Sequence, residues 1–493
     1  MSSDSSGWSS DQPFAALHET HAGVVILLGN RAYKAKKPVR TEFLDFGTLQ
    51  ARRAVCAHEL ELNRRLAPDV YLGLIELGDP GGAEGEPLVV MRRMPESARL
   101  STIVQGTDTD DWIGAIADLV AGFHAGAQRA AHISAEGTAA AVQWRWQANI
   151  REMRDLDQSV VDDGRVAALE QVVLRYLDGR ERLFTERIDG GHLVDGHGDL
   201  LADDIFCLPD GPRILDCLDF DDRLRYLDVI DDISCLAMDL EFLGRPDLAG
   251  LLFERYTAAA TDTAPSSLRH HYVAYRSFMR AKVDCIRLLQ GRAASADDAV
   301  RHTAIAEDHL NRGAVRLGLV GGLPATGKST LAGALADAVD ATLVSSDAVR
   351  RELFADERSS VPDPGFGRGR YSPDATARVY ETLLDRAQGD LERGMSVVLD
   401  ASWTDRRWRE RAAEVAAAAL ADLVPLRCTA PPVTTERRLR ARLDGGDHDS
   451  EATPDIARAM ALEADAWPES IEIDTARPAD QSLSTAVDHW WST

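Results

Sequence analysis

A chain of 493 residues exceeds what one hydrophobic core serves, so two domains are the expectation. With 45% hydrophobic and 27% charged residues it reads as an ordinary soluble globular protein rather than a disordered or fibrous one. A formal net charge of -25 disfavours long nucleic acids and anionic membranes as partners, so any polyanionic ligand has to be met by local basic clusters.

The six cysteines (Cys56, Cys207, Cys217, Cys235, Cys285, Cys428) lie far apart without a CxxC pair, which points to reduced thiols in a cytoplasmic protein. Residues 1–13 are Ser/Asp-rich and lack the apolar core of a signal peptide, so they read as a disordered tail. No apolar run is long enough to span a bilayer.

From the N-terminus, alternating runs at Gly23 to Leu28 and Arg31 to Lys37 predict antiparallel strands, followed by a helix from Leu49 to Leu66. Pro87 to Met91 reads as a further strand, and Asp111 to Phe184 as mainly helical. Two short strands flank Cys207 and Leu215, and helices continue to Asn311. Within this region His197-Gly198-Asp199-Leu200 precedes Ile214-Leu215-Asp216. In one site, Asp199 would accept the proton of a substrate hydroxyl while Asp216 bound Mg²⁺ carrying the phosphates. The same pattern on its own also describes carboxylates that cap turns.

The polar stretch Gly291 to Gly313, part of which can be helical, marks the expected junction between a domain over 14–312 and a second over 313–493. There Val315 to Val320 reads as a strand, Lys328 to Val339 as a helix, and Ala341 to Val344 as a second strand. After a Pro/Gly-rich loop (Ser359 to Tyr371) come a helix from Pro373 to Arg393, a strand from Ser396 to Leu399, another helix, and a strand near Leu423 to Cys428. Alternation of this kind predicts a parallel sheet with helices on both faces.

Gly322-Leu323-Pro324-Ala325-Thr326-Gly327-Lys328-Ser329 fits GxxxxGK[ST] at every fixed position, after a strand and before a helix. Backbone N–H groups of such a turn cradle phosphates, Lys328 adds a point charge, and Ser329 offers a hydroxyl to Mg²⁺. Asp400 closes the apolar strand after Leu399, where a carboxylate would hold Mg²⁺ or its water; the alternative is a carboxylate that caps the next segment. Asp347 and Arg350 follow the second strand at a spacing that puts both on one helix face. They suit a general base and an anion-orienting arginine, or a helix cap followed by a surface ion pair.

The segments Gly321 to Thr330, SSDAVRREL and VVLDA resemble the P-loop kinases of the zeta-toxin and polynucleotide-kinase group. That resemblance implies Asp347 as the base on the substrate hydroxyl, Arg350 as its partner, and an arginine-bearing lid, for which Arg438 and Arg442 are the candidates. Likewise His197 to Asp239, THAGVVILLGNRAYKAKKPV and HELELNRRLAPDVYL resemble the aminoglycoside-phosphotransferase and choline-kinase family, in the bacterial subgroup fused to a P-loop domain. It implies that Lys34, with Lys36 as the alternative, holds the α/β-phosphates, that Glu59 orients Lys34, and that Asp228 and Asp232 are structural. Two departures stand out. Asp204 occupies the family's asparagine position for the second metal ligand, and His21 to Gly29 contains only Gly23 and Gly29 where a Gly-rich phosphate loop would lie.

The sequence therefore predicts a protein kinase-like α+β domain, a small sheet lobe plus a helical lobe, followed by an α/β P-loop domain with a parallel sheet. The function expected is ATP- and Mg²⁺-dependent phosphoryl transfer to a small hydroxylated substrate. The alternatives are a nucleotide sensor with a degenerate N-terminal kinase fold and a toxin-like or nucleic-acid-end kinase.

Overall fold

The computed structural model describes residues 13–19, 23–39, 46–78, 84–107, 109–355, 369–445 and 454–492. Residues 1–12 of the expected N-terminal tail, all but the last residues of the Ser359 to Tyr371 loop, and residues 21–22 of the glycine-poor segment before Lys34 therefore lie outside it. The chain forms two compact units. One comprises Met1–Val166, Glu186–Ala264 and Tyr272–Asp308; the other comprises Ala167–Thr185, Pro265–His271 and His309–Thr493.

The first unit starts with five antiparallel strands: β1 (Ala15–Glu19), β2 (Gly23–Leu28), β3 (Arg31–Lys36), β4 (Tyr71–Leu77) and β5 (Glu86–Arg92), in the order β1-β2-β3-β5-β4. β1 and β4 escaped the sequence reading. β4 (YLGLIEL) contains a glycine and a register shift between Tyr71 and Gly73, which blur its alternation. One face of the sheet buries Ala32, Val89 and Met91 with Cys56 of the helix Leu49–Asn63. Burying a side chain such as Val89 contributes about 1.5–3 kcal/mol relative to leaving it exposed. Thr48 caps that helix by accepting the Ala51 N–H, and the helix fixes Glu59 and Asn63 in buried positions beneath β3.

A helical part follows, carrying two small antiparallel pairs: β6 (Leu193–Asp195) with β9 (Tyr226–Asp228), and β7 (Ile205–Leu208) with β8 (Gly211–Ile214). The stretch expected to be a junction is mostly the helix Ser295–Arg312. Its Ala and Asp residues put Ala299, Thr303 and Ala306 on one buried stripe, and that periodicity outweighs its polar composition.

The second unit holds a five-stranded parallel sheet: β10 (Arg316–Gly321), β11 (Thr342–Ser345), β12 (Val397–Asp400), β13 (Asp422–Thr429) and β14 (Ile471–Asp474). The order is β11-β12-β10-β13-β14, so the chain reverses its direction of winding beside the central strand β10. The helix Lys328–Ala338 buries Leu331, Ala332, Leu335 and Ala336 against Val320, Val398, Val424 and Leu426, with Trp490 of the helix Ala479–Trp491 closing the core. β14 and the closing helix lie beyond the part of the chain whose pattern suggested a P-loop domain.

Candidate functional site

The parallel sheet brings its chemistry to one edge. Asp400 is level with Val320 on one neighbour and Ser345 on the other, so the turn after β10, the carboxylate after β12 and the helix after β11 converge. Gly322 has φ +143°, and a Cβ there would meet the Thr326 hydroxyl at 2.6 Å and the Cys428 carbonyl at 2.7 Å. Gly327 has φ +88° at the cap of the helix Lys328–Ala338. Glycine is required at both positions, by space at the first and by backbone conformation at both. Leu323, Pro324, Ala325 and Thr326 complete the turn, the Thr326 hydroxyl donating to the Leu323 carbonyl at 2.8 Å and the Gly322 N–H to the Ser402 carbonyl at 3.1 Å. Lys328, Ser329 and Thr330 form the first turn of the helix, whose free N–H groups and dipole make the concavity an anion cradle.

Asp400 faces this turn. Burial pushes its carboxyl above the usual range, and the Lys328 ammonium and hydrogen bonds with Ser329 and Ser345 work against that rise. Its Oδ1 is buried without a hydrogen-bond partner among the described residues. An orphaned acceptor beside a Ser hydroxyl and a Lys suits a hard, oxygen-seeking cation. Asp347 is close enough for its charge to push Asp400 further up. Arg350 is buried and directed elsewhere, its guanidinium 4.6 Å above the Tyr371 ring and donating to the Arg370 carbonyl. Sequence spacing placed Asp347 and Arg350 on one face, but the segment around Tyr371 holds the arginine.

Two residues brace the turn. Arg438, on the helix Pro432–Gly445, donates to the Ala325 carbonyl at 3.3 Å and to the Thr475 carbonyl at 2.7 Å. The Thr475 hydroxyl donates to the Thr326 carbonyl. Thr475 follows β14, which the sequence did not announce, so nothing marked it. Arg442 lies on the same helix as Arg438, but its side chain is outside the described residues.

In the first unit Lys34 and Lys36, two residues apart on β3, share one carboxylate. Lys34 Nζ is 2.8 Å from Glu59 Oε1 and 2.5 Å from Asp216 Oδ1; Lys36 Nζ is 2.8 Å from Glu59 Oε2 and 2.5 Å from Asp219 Oδ2. Burial opposes ionisation of Glu59, yet the two ammonium groups outweigh it and hold the carboxyl down at about 2. Asp216 adopts φ +62°, a left-handed backbone that Asp tolerates better than most residues, and its N–H donates to the Tyr71 hydroxyl at 3.2 Å.

The loop after β6 is fixed from behind. The Asp232 carboxylate accepts the His197 N–H at 2.7 Å, the Gly198 N–H at 2.9 Å and His124 Nε2 at 3.0 Å. Arg276 donates to the Gly198 carbonyl at 2.7 Å, and Asp239 accepts the Ala202 N–H at 2.7 Å. Asp228 caps the helix Val229–Phe242 and pairs with Arg187. Among the described residues the Asp199 carboxylate has one hydrogen-bond partner, the Cys235 thiol at 3.9 Å. Burial pushes its carboxyl above the usual range. Asp204 is raised further, by burial and then by the charges of Asp216 and Asp199, so the fold gathers these three acidic residues. Among the described residues no three His, Cys, Asp or Glu side chains converge as a ready-made metal cage. Asp216 points instead to Lys34.

All six cysteines are free and buried, and among the described residues no helix is long and apolar enough to cross a membrane.

Two family models match the chain. A model of the phosphotransferase enzyme family matches residues 28–270, and an AAA domain model matches 317–465. Uncharacterized proteins of Mycobacterium bovis and Mycobacterium tuberculosis are 46% identical over 484 residues, spanning 98% of this chain and 96% of the relatives. The chain belongs to this family, in which a phosphotransferase-family domain is fused to an AAA-type P-loop domain. Among solved structures, a choline/ethanolamine kinase family protein from Mesorhizobium loti covers 61% of this chain and 92% of its own (15% identity, TM-score 0.38). A sugar kinase from Janibacter sp. HTCC2649 covers 36% and 94% (17% identity, TM-score 0.28).

Proposed function

We propose that the protein is an ATP- and Mg²⁺-dependent phosphotransferase acting on a small hydroxylated substrate, with the P-loop unit as its competent kinase. The observation that carries this reading is the buried Asp400 Oδ1, without a hydrogen-bond partner among the described residues, beside Lys328 and Ser329 at the mouth of the P-loop. Ser329 and Asp400 would hold Mg²⁺, which when bound neutralises charge on the β- and γ-phosphates. Backbone N–H groups of Gly322 to Thr330 and the Lys328 ammonium take the rest of the anionic charge. Asp347 accepts the proton of the attacking hydroxyl, while Arg438 keeps the turn in shape. Arg350 fixes the segment at Tyr371 beside the acceptor position. In Asp347→Asn, phosphoryl transfer should fall by about 100-fold or more with ATP binding kept. Full transfer in that variant removes Asp347 as the base.

In the first unit the same chemistry falls to Lys34, aligned by Glu59, for the α/β-phosphates, to Asp199 as base, and to Asp216 and Asp204 as Mg²⁺ ligands. A second reading, a nucleotide sensor, is favoured there by one observation: Lys34 is occupied by Asp216, and Asp204 adds a third carboxylate. In a Lys328→Ala protein, ATP–Mg²⁺ binding without transfer to any alcohol supports the sensor; transfer supports the kinase.

A further inference from the structure

Four buried arginines of the first unit are paired with carboxylates. Arg187 meets Asp228 and Asp262, Arg225 meets Asp195, Arg276 meets Asp231, and Arg145 meets Glu136. Arg280 has no such carboxylate partner among the described residues. It lies one helical turn beyond Arg276 on the helix Ser266–Leu289, half-buried, and it forms no hydrogen bond or ion pair among the described residues.

Its position is fixed by its neighbours. Arg276 donates to the Gly198 carbonyl, so this face of the helix lies against the loop that carries Asp199. Four groups feel the Arg280 charge: Asp199, Cys235, Asp239 and Asp284. Two of them are engaged elsewhere, Asp239 by the Ala202 N–H and Asp284 by His302 at 2.9 Å and Arg287 at 3.2 Å. The Asp199 carboxylate has the Cys235 thiol as its one hydrogen-bond partner among the described residues. A guanidinium with its donors unspent therefore sits beside the one carboxylate aimed at an acceptor hydroxyl.

The rest of the chain makes this charge matter. With a net charge of -25, an anionic small molecule is repelled unless a local cation receives it. A cationic acceptor would in turn be repelled by Arg280 at the point of attack. Arginine presents planar paired donors that match a carboxylate or a phosphate.

We propose that Arg280 selects the acceptor of the first unit, and that this acceptor is a small alcohol bearing a carboxylate or phosphate group. The proposal rests on reading Asp199 as the base of that site. The negative group docks on Arg280 and the hydroxyl turns toward Asp199. No covalent chemistry falls to Arg280.

The test uses the full-length protein with Lys328→Ala, which silences the P-loop. Binding of glucose, gluconate, glucose 6-phosphate, glycerol, glycerate, glycerol 3-phosphate and choline is measured calorimetrically, with Mg²⁺ and a non-hydrolysable ATP analogue present. At least one acid or phosphate should bind about tenfold or more tightly than its neutral parent, and the stronger arm tells carboxylate from phosphate. Arg280→Gln should erase that preference and Arg280→Lys should keep part of it, with the affinity for the ATP analogue unchanged in both. No preference for either anionic arm, preference for choline, or a preference that survives Arg280→Gln overturns the proposal. An altered pH profile in Arg280→Gln with the preference intact also overturns it, since Arg280 then acts only on Asp199. Transfer is scored separately: anion binding that depends on Arg280 without phosphoryl transfer sinks the kinase reading of this unit and leaves the anion site standing.

Discussion

Replacing Thr475 by Val keeps the shape and removes the hydroxyl whose hydrogen bonds, to Thr326, Thr429 and Arg438, lie behind the P-loop. In the native protein that hydroxyl donates to the carbonyl of Thr326, a buried residue of the turn. Without it the carbonyl has lost its donor, and leaving a buried acceptor unsatisfied costs about 1–3 kcal/mol. Arg438 loses its 3.3 Å contact to the hydroxyl but retains the Thr475 carbonyl at 2.7 Å. The cost divides between two observables. If the turn keeps its shape, the whole amount appears as lost folding stability. If the turn relaxes to find a new donor, part of it appears as lost ATP affinity, about 5- to 150-fold at the extremes. Urea unfolding and calorimetric titration of ATP–Mg²⁺ on the same samples measure both, with Thr475→Ser as the variant that restores the hydroxyl. Stability within about 0.3 kcal/mol of wild type, together with unchanged ATP affinity, would refute the idea that Thr475 shapes the turn.

Other outcomes follow from the same geometry. Glu59→Ala removes the buried carboxylate that Lys34 and Lys36 share, leaving them Asp216 and Asp219, and should cost about 3–5 kcal/mol in urea unfolding, as loss of one partner of a buried ion pair does; a cost under about 1 kcal/mol contradicts the shared-carboxylate arrangement. Because the folded Glu59 carboxyl is depressed to about 2, its contribution is present above the unfolded value near 4.3 and is lost as pH falls through the folded one. Acid unfolding of Glu59→Gln should accordingly show a flatter stability curve below about pH 4.3 than wild type, and parallel curves would count against the pairing. Asp232→Ala removes the acceptor of the His197 and Gly198 N–H groups. Hydrogen exchange at these two amides should rise by at least about tenfold, and native-like protection would show that the loop is held otherwise. Asp400→Asn should raise the Mg²⁺ concentration needed for ATP turnover by about 10- to 100-fold while sparing nucleotide binding without metal; an unchanged Mg²⁺ requirement places the metal elsewhere.

What the sequence revealed and what it hid divide along physical lines. The P-loop was legible because its requirement is local: two glycines at tight or left-handed positions, a lysine and a hydroxyl within eight residues, between a strand and a helix. The strands β10 and β12 were legible because both of their faces are buried, which leaves continuous apolar runs. The same rule failed for β14 (IEID), whose alternating burial at the sheet edge resembles any short polar segment, and with it Thr475 was lost. The family resemblance implied Arg438 as a lid residue, yet its hydrogen bonds run to the turn's own backbone, a contact between segments more than a hundred residues apart. In the first unit, Lys34 and Glu59 were implied by the family resemblance. Only the pleat of β3, which puts Lys34 and Lys36 on one face above a single helix, shows that the two lysines share the carboxylate. The lone guanidinium of Arg280 had no sequence signature at all, since an unpaired arginine is visible only once every other pairing is known.

The central claim is that the turn from Gly322 to Ser329 receives a nucleotide triphosphate for phosphoryl transfer. It is tested most directly by ATP consumption of the full-length Lys34→Ala protein, in which the first unit is silenced, compared with the same protein carrying Lys328→Ala as well. Loss of the lysine charge should lower ATP turnover by about 100-fold or more. Equal turnover with and without Lys328 would contradict the account.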